Sequence, residues 1–335
     1  MKNRKHFKEI AFAVTILVIA VSLIAVFGFA ERIINHINKP DVPMDYTDTG
    51  DNRVFYEGAW YDLDPNIETI LILGIDSIDS PDESRAHSSQ ADFLALLIID
   101  DLTKSFKILH INRDTMTEIP QIDKYGSKYG TYNAQLALAH TYGGHDNMKC
   151  RNTVDAVTNL LYNVNIDHYL SLTMDAVSIL NDGMGGVTLT LEEDFTALGD
   201  GFVKGAEVTL KGDEALTFVR WRSDSQTTSN LERMARQRQY ISALFDKYVS
   251  SDIDNTLDTM LKVNEHLVSD CTINQMSELL ETLQDYTYET VISLPGEAHK
   301  ENTYVEFHVD ETELQKMVID LFYELEENDP NEQKN

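Results

Sequence analysis

The sequence is poor in cysteine and in positive charge. It contains two cysteines among 335 residues, Cys150 and Cys271, which excludes a disulfide-dense scaffold and a cysteine-rich zinc site, because both need paired local spacings. One bridge between them and two free thiols are both open alternatives. The chain has 27 Lys and Arg against 56 Asp and Glu, a formal net charge of -29. Non-specific nucleic-acid binding is therefore excluded, since phosphate contacts need a basic surface.

Several catalytic motifs are also absent. The sequence has no Walker lysine, no His-Glu-x-x-His and no Gly-x-Ser-x-Gly, and the Gly183 to Gly186 cluster lacks the spacing of a dinucleotide-binding loop. The ten histidines are scattered, so each is interpreted as a surface or core residue rather than as a zinc ligand. The chemistry must come from other residue types.

An uncharged run of 21 residues, Ile10 to Ala30, is the first long feature. At 1.5 Å per residue it crosses a hydrocarbon layer of about 30 Å, which predicts one transmembrane helix. The basic tail, residues 1–9, is expected in the cytoplasm and the rest of the chain outside, as a single-pass cell-membrane protein. The alternative is a cleaved signal peptide, but its apolar core would span only about 7 to 15 residues.

Apolar runs and turn signals divide the rest of the chain. We predict a stalk over residues 31–66, a catalytic domain over 67–250, and an extension over 251–335 that covers the core and has a polar tail from about 326. Residues 69–75 and 93–99 are continuous apolar runs with the pattern of strands buried on both faces, and residues 106–111 alternate like a third strand. Residues 132–142 have helical spacing. Alternating strands and helices predict an α/β or α+β sandwich with helices on both faces of a sheet.

Three polar residues are predicted to meet where these strands end. Asp76 follows the first strand, Asp92 begins the second and Arg113 follows the third. An antiparallel hairpin would bring Asp92 and Arg113 to the same end, and Asp76 should share it. Two carboxylates and a guanidinium fit a hard cation with a phosphate, which predicts Mg²⁺ bound by Asp76 and Asp92. The alternative is that both aspartates cap strand ends and that Arg113 pairs with Asp114.

Arginines are concentrated in a short window that contains no lysine. Five of eleven lie within 19 residues: Arg220, Arg222, Arg233, Arg236 and Arg238. Because guanidinium grips phosphate with two parallel hydrogen bonds, this usage in an acidic protein indicates anion binding, with a solvated helix face as the alternative. Ser229-x-x-Glu232 predicts a capped helix that begins at Asn230. Arg233, Arg236 and Gln237 then share one face of this helix, and Arg238 is directed away from them. Leu231 is predicted to belong to the apolar stripe that the helix buries. Arg220 and Arg222 point the same way if their segment is a strand.

Several blocks in order resemble the LytR-CpsA-Psr family of cell-envelope proteins over about residues 68–250. The blocks are Leu71-Ile72-Leu73-Gly74-Ile75-Asp76, Ala91-Asp92, Ile111-Asn112-Arg113-Asp114-Thr115, Tyr132-Asn133-Ala134 with Gly143-Gly144, Ile166-Asp167-His168-Tyr169, Gly185-Gly186-Val187, Leu210-Lys211-Gly212-Asp213-Glu214-Ala215-Leu216 running to Val219-Arg220-Trp221-Arg222, and Arg233 to Gln237. The resemblance implies an α/β/α sandwich with a central mixed sheet that encloses an apolar tunnel for a prenyl chain.

The same resemblance implies an activity and its residues. A phosphotransferase would move an anionic glycopolymer, such as a teichoic acid or a capsular polysaccharide, from a polyprenyl-pyrophosphate carrier to peptidoglycan. Asp76, Asp92 and Arg113 would be catalytic, with Mg²⁺, or Mn²⁺ as the alternative ion, held by the two aspartates. Pyrophosphate oxygens would be bound by Arg113, Arg220, Arg222, Arg233, Arg236 and Gln237, with Gln90 beside them.

Two departures from the family pattern motivate alternative functions. Family members often carry Arg two residues before the second Asp, where this chain has Gln90, and often an acid three residues before the helix Arg, where it has Asn230. The pyrophosphate-binding site then lacks one positive charge, and Arg85 is a candidate to supply it. The alternatives are a non-catalytic carrier-binding envelope regulator and a pyrophosphate hydrolase that uses the same site.

Overall fold

A six-stranded sheet lies at the centre of the computed structural model, which describes residues 47–48, 52–75, 89–222, 229–251, 253–301 and 304–326. The strands are β1 (Thr47–Asp48), β2 (Arg53–Tyr56), β3 (Ala59–Leu63), β4 (Ile67–Ile75), β5 (Ala91–Asp100), β6 (Ser105–Ile111), β7 (Met116–Ile122), β8 (Lys128–Gln135), β9 (His168–Thr173), β10 (Val187–Thr190), β11 (Glu207–Leu210), β12 (Leu267–Ser269), β13 (Thr287–Ser293), β14 (Gly296–Glu301), β15 (Tyr304–Val309) and β16 (Tyr323–Leu325).

In the described residues the first α-helix follows β8. They are α1 (Asp146–Leu160), α2 (Asp175–Gly183), α3 (Asp213–Arg220), α4 (Ser229–Tyr248), α5 (Ile253–Val263), α6 (Ile273–Asp285) and α7 (Glu311–Phe322). Short 3₁₀ helices cover Leu136–Thr141, Thr196–Leu198 and Asn264–His266.

The central sheet has the order β12-β9-β4-β5-β6-β13. Strands β4, β5 and β6 pair antiparallel, whereas β9 runs parallel to β4 and β13 runs parallel to β6. The sheet is therefore mixed, as the family resemblance implies. The three strands predicted from the apolar runs are confirmed, with β4 starting two residues earlier than predicted.

Both faces of this sheet are buried, which explains the long apolar runs of its two middle strands, β4 and β5. On one face Leu71 and Leu73 belong to a buried cluster with residues of α1 and α7. On the other face Ile70 and Leu97 pack with residues of α4 and α6. Helices thus cover each side of the sheet, and the α/β/α layering is present.

Material from both ends of the chain joins this core. Strands β2 and β3, within the segment predicted as a stalk, form a four-stranded sheet with β1 and β16. Val54 and Tyr56 pack there against Ile319 of α7. The C-terminal extension supplies two strands of the central sheet, β12 and β13, in addition to helices that cover it.

One local prediction was wrong, and the condition attached to a second one is not met. Residues 132–142 do not form an α-helix, because Tyr132, Asn133 and Ala134 pair with β7 in a hairpin and only Leu136–Thr141 turns into a 3₁₀ helix. Arg220 and Arg222 do not lie on a strand, because Arg220 is the last residue of α3 and the chain turns at Trp221.

The predicted transmembrane segment, residues 10–30, lies outside the described residues. Within the described ranges, no helix combines the length and the apolar character needed to cross a bilayer.

Candidate functional site

Strand register places the predicted site residues at one end of the central sheet. Ile75, the last residue of β4, pairs with Ala91, and Leu94 of β5 pairs with Ile111 of β6. The start of β5 therefore lies beside the end of β6, and the predicted meeting of Asp92 with Arg113 is observed. Asp76 and Arg85 lie outside the described residues.

Asp92 is the centre of an arginine cluster, defined here as Arg113, Arg222 and Arg233. The Asp92 Oδ1 atom forms an ion pair with Arg113 Nη1, and lies 3.4 Å from Arg222 Nη2 and 3.8 Å from Arg233 Nη1. Arg233 Nη2 also donates to the Asp92 backbone carbonyl at 3.4 Å. Gln90 joins the cluster because its side-chain oxygen accepts a hydrogen bond from Arg113. Residues from β5, the β6 end, α4 and the segment after α3 thus converge on one carboxylate.

Two of the three guanidinium groups of this cluster, those of Arg113 and Arg233, are largely withdrawn from water. The side chains of Arg113 and Arg233 are 12% and 4% exposed. Burial, followed by repulsion from Arg222 and Arg113, lowers the pKa of Arg233 to about 9. Burial and repulsion from Arg222 also lower the pKa of Arg113, against the attraction of Asp114. Because the charged form of each is destabilised relative to water, an anion placed among them would be bound favourably.

Asp114 and Asn230 form a buried network next to the cluster. Asn230 Nδ2 donates to Asp114 Oδ2 at 2.6 Å and to Asn112 Oδ1 at 3.1 Å, while Asn230 Oδ1 accepts from Arg233 at 2.8 Å. Burial raises the pKa of Asp114, although Arg113 and Arg233 oppose that shift. Sequence reasoning gave Asp114 only an ion-pair role with Arg113. The signal that the sequence offered was its position directly after Arg113, since the contact with Asn230 joins residues far apart in the chain.

Arg236 and Gln237 lie on α4 but contact a different part of the site. Arg236 donates to the backbone carbonyls of Phe218 and Trp221, the latter through Nη2, and its guanidinium lies over the rings of Phe195 and Trp221 at 4.9 and 5.4 Å. Gln237 Nε2 donates to the carbonyl of Val219 at 3.1 Å.

These contacts fasten the end of α3 to α4. They therefore position the segment that carries Arg220 and Arg222, which are both exposed. The structure buries Met234 and Tyr248 of α4, but the prediction that Leu231 is buried is wrong: Leu231 is 40% exposed, although its neighbour Asn230 is buried.

An apolar cavity of about 260 Å³ lies beside β5 and α4, which carry Asp92 and Arg233. It lies between the sheet and helices α2, α4, α5 and α6, and Phe93, Val219 and Gln237 line it. Each of these three is a close chain neighbour of a site residue: Phe93 follows Asp92, Val219 precedes Arg220, and Gln237 lies one helical turn after Arg233. The cationic site and the apolar cavity therefore lie close together, connected by chain neighbours of the cluster residues that line the cavity.

The LytR_cpsA_psr family matches residues 46–322 of this sequence. The chain belongs to the LytR-CpsA-Psr family. The match extends beyond the region in which the sequence blocks were recognised, and it includes parts of the segments predicted as stalk and extension.

Curated relatives of this LytR-CpsA-Psr protein carry a transferase name. The polyisoprenyl-teichoic acid–peptidoglycan teichoic acid transferase TagU of Halalkalibacterium halodurans is 30% identical over 271 residues, 78% of this chain and 81% of the relative. TagU of Bacillus mycoides is 29% identical over 234 residues, 69% of this chain and 70% of the relative.

Solved structures share the fold of this LytR-CpsA-Psr protein. TagV of B. subtilis superposes with a TM-score of 0.60 at 23% identity, covering 77% of this chain and 98% of that structure. A structure of TagT bound to LI-WTA gives a TM-score of 0.58 at 24% identity, covering 77% of this chain and 90% of that one. At these identities the likeness bears on the fold alone.

Proposed function

We propose that this protein transfers an anionic glycopolymer from a polyprenyl-pyrophosphate carrier to peptidoglycan. The observation that carries the proposal is the closeness of the arginine cluster to the apolar cavity, which chain neighbours of the cluster residues line. A ligand that fills both must have an anionic head and an apolar tail, which is the chemistry of a lipid-linked pyrophosphate. The transferase names of the curated relatives support the same reaction class.

The arginine cluster would bind the pyrophosphate and neutralise charge during transfer. A hydroxyl of the acceptor glycan attacks the phosphorus that carries the polymer and loses its proton. The new phosphoester bond forms as the bridging P–O bond breaks, and polyprenyl monophosphate leaves. Positioned cations stabilise the charge that develops on the bridging and equatorial oxygens. Arg113, Arg222 and Arg233 would contact those oxygens, with Arg220 beside them, while Arg236 and Gln237 position the segment after α3.

Asp92, together with Asp76, would hold Mg²⁺. Carboxylate oxygen is the ligand type that Mg²⁺ prefers, and the ion would supply further charge neutralisation at the phosphate oxygens. The fit of Asp92 to this role is conditional, because its Oδ1 is shared among three guanidinium groups. We expect Mg²⁺ to bind well only with the pyrophosphate, which would draw those guanidinium groups away from Asp92.

The predicted anchor, residues 10–30, would hold the catalytic domain at the outer face of the cell membrane. The prenyl tail of the carrier would leave the bilayer and enter the apolar cavity. Such a location suits an acceptor in the cell wall, and it requires that residues 1–9 remain cytoplasmic.

The test is mass spectrometry of the full-length protein in detergent with a polyprenyl-pyrophosphate glycan, a peptidoglycan oligomer and Mg²⁺. A phosphodiester-linked wall fragment that EDTA abolishes is the expected product. Free polymer phosphate would indicate the hydrolase, and bound but unreacted donor would indicate the carrier-binding regulator. Either of those results would overturn the transferase assignment.

Matched arginine variants test the site itself. Arg222→Ala removes a cluster member whose side chain is 48% exposed, so the fold should survive, and we expect transfer to fall about 10²-fold. Arg113→Ala should abolish transfer, with circular dichroism as the check on folding because Arg113 is buried. Arg151→Ala, on the exposed face of α1, is the control and should keep full activity. Unchanged transfer in both cluster variants would refute the assigned site.

A further inference from the structure

A second group of ligand-type side chains lies at the opposite end of the central sheet. His168 begins β9, and Asp270 and Cys271 directly follow β12, the strand that pairs with β9. One potential ligand atom from each of the three side chains lies within 4.8 Å of the other two. His168 pairs with Ile70 of β4, whereas the arginine cluster is near Ile75, five residues further along the same strand. The two sites are therefore separated by roughly 17 Å along the sheet.

Hydrogen bonds to the backbone fix the positions of Asp270 and Cys271 relative to β9. Asp270 Oδ1 accepts a hydrogen bond from the Tyr169 amide at 3.0 Å. Ser269 Oγ donates to the Tyr169 carbonyl at 2.8 Å and accepts from the Cys271 amide at 2.9 Å. The turn that carries Asp270 and Cys271 is thus tied to the residue after His168, so these side chains are held together by the fold rather than by chance side-chain positions.

His168 has an unsatisfied ring nitrogen in this arrangement. Its Nδ1 atom is buried, makes no hydrogen bond to any residue that the structure describes, and lies 3.5 Å from Asp270 Oδ1. The His168 and Asp270 side chains are 30% and 28% exposed, and Cys271 is half-buried. The group is therefore open enough for an ion to enter. Apart from the ion pair that a protonated ring would form with Asp270, the Nδ1 atom lacks a hydrogen bond, which is uncommon for a buried polar atom.

The surrounding charges also favour a cation. Glu68 interacts electrostatically with both His168 and Cys271, and Asp167 with Glu68. Imidazole, thiol and carboxylate are together the ligand types of zinc-class ions, whereas Mg²⁺ prefers oxygen alone. Ligand atoms around tetrahedral zinc lie roughly 3.4–3.6 Å apart, so side-chain rotations of about 1 Å would close the set.

We propose that His168, Asp270 and Cys271 bind a divalent transition-metal ion of the zinc class, with water as the fourth ligand. The ion would link β9 to the turn before α6. Leu279, Leu280 and Leu283 of α6 line the apolar cavity, so metal binding would stabilise the cavity wall far from the arginine cluster. The expectation that the histidines are all surface or core residues is revised for His168, because strand pairing brings it to residues distant in the sequence.

The experiment is a Co²⁺ titration of the reduced, metal-free, full-length protein, followed by absorption spectroscopy. A saturable thiolate-to-cobalt charge-transfer band that Zn²⁺ displaces and excess Mg²⁺ does not is the expected result. Cys271→Ser should lose this band. Cys150→Ser is the matched control, because Cys150 is fully buried in the core on the α1 side, and it should keep the band. His168→Ala should weaken Co²⁺ binding by roughly tenfold or more, since even indirect support of a metal ligand is worth that much.

Three outcomes would overturn the proposal: no saturable band, a band that persists in Cys271→Ser, or a band lost in Cys150→Ser while that variant remains folded. Zn²⁺ should also raise the Tm of the parent and not that of Cys271→Ser. Because the readout is metal binding rather than transfer, the result does not depend on the proposed function.

Discussion

Replacing Asn230 with Asp tests the buried network beside the arginine cluster. Asn230 Nδ2 lies 2.6 Å from Asp114 Oδ2 and 3.1 Å from Asn112 Oδ1, and it donates to both. In Asn230→Asp an oxygen takes the place of this donor, so two carboxyl groups meet at hydrogen-bond distance. Because two like charges at that distance cannot both remain ionised, the pair should retain one proton, and its higher pKa should be strongly raised.

The expected loss of stability follows from the cost of keeping one carboxyl group protonated at neutral pH. Retaining it at pH 7 on a carboxyl whose unfolded pKa is about 3.9 costs about 4 kcal/mol. Arg113, Arg222 and Arg233 offset part of this cost, so we expect a loss of about 2–4 kcal/mol in the free energy of unfolding at pH 7. The folded pKa lies above the unfolded one, so the folded state binds more protons. The loss should therefore be small near pH 4 and should grow as pH rises to the folded pKa.

Urea unfolding of parent and variant at pH 5, 6 and 7 measures this prediction. The stability difference should increase by about 1–3 kcal/mol between pH 5 and pH 7. The exchange variant Asn230→Asp with Asp114→Asn restores one amide and one carboxyl, and it should recover most of the stability. A difference that stays constant across these pH values, or an exchange variant no better than the single one, would refute the paired-carboxyl reasoning.

Three further variants test other parts of the molecule. Burial, followed by the charges of Arg238 and Arg233, lowers the pKa of His110 to about 3. The free energy of unfolding should therefore fall by about 1.4 kcal/mol per pH unit as the pH drops below about 6.5. His110→Phe should remove this pH dependence in unfolding experiments, and an unchanged pH dependence would contradict the assignment to His110. Gln90→Arg should lower the Tm and tighten binding of a pyrophosphate headgroup by calorimetry, and equal affinity would count against the cluster as the anion site. Ala95→Leu fills part of the apolar cavity, so it should weaken binding of a long-chain polyprenyl pyrophosphate but not of inorganic pyrophosphate. Equal effects on both ligands would show that the prenyl chain does not bind in this cavity.

The central sheet was predictable from the sequence because its strands are buried on both faces. Leu71, Leu94 and Leu109 each belong to the same buried cluster. The runs around Leu71 and Leu94 contain no charged residue, whereas the segment of Leu109 alternates apolar residues with Lys107 and His110. A hairpin of fixed length then determines that Asp92 meets Arg113, so this half of the site also followed from residue order.

The remainder depended on tertiary contacts that no local pattern encodes. Tyr132 lies on a strand because β7 pairs with it, although the spacing from Tyr132 to Tyr142 also suits a helix. Arg236 shares a helix face with Arg233, yet it binds the carbonyls at the end of α3 because α3 packs on α4 there. His168 meets Cys271 only because β12 pairs with β9.

The two departures from the family pattern compensate each other. Gln90 stands where an arginine is frequent and Asn230 where an acid is frequent, so one positive and one negative charge are absent together. Both amides bind the charged neighbours instead: Gln90 accepts from Arg113, and Asn230 accepts from Arg233 while it donates to Asp114. Arg113, Arg222 and Arg233 still outnumber Asp92 and Asp114, so these side chains leave the site net positive in a chain of net charge -29. The missing arginine therefore does not favour a binding-only regulator over the transferase, because the charge available to a pyrophosphate is preserved.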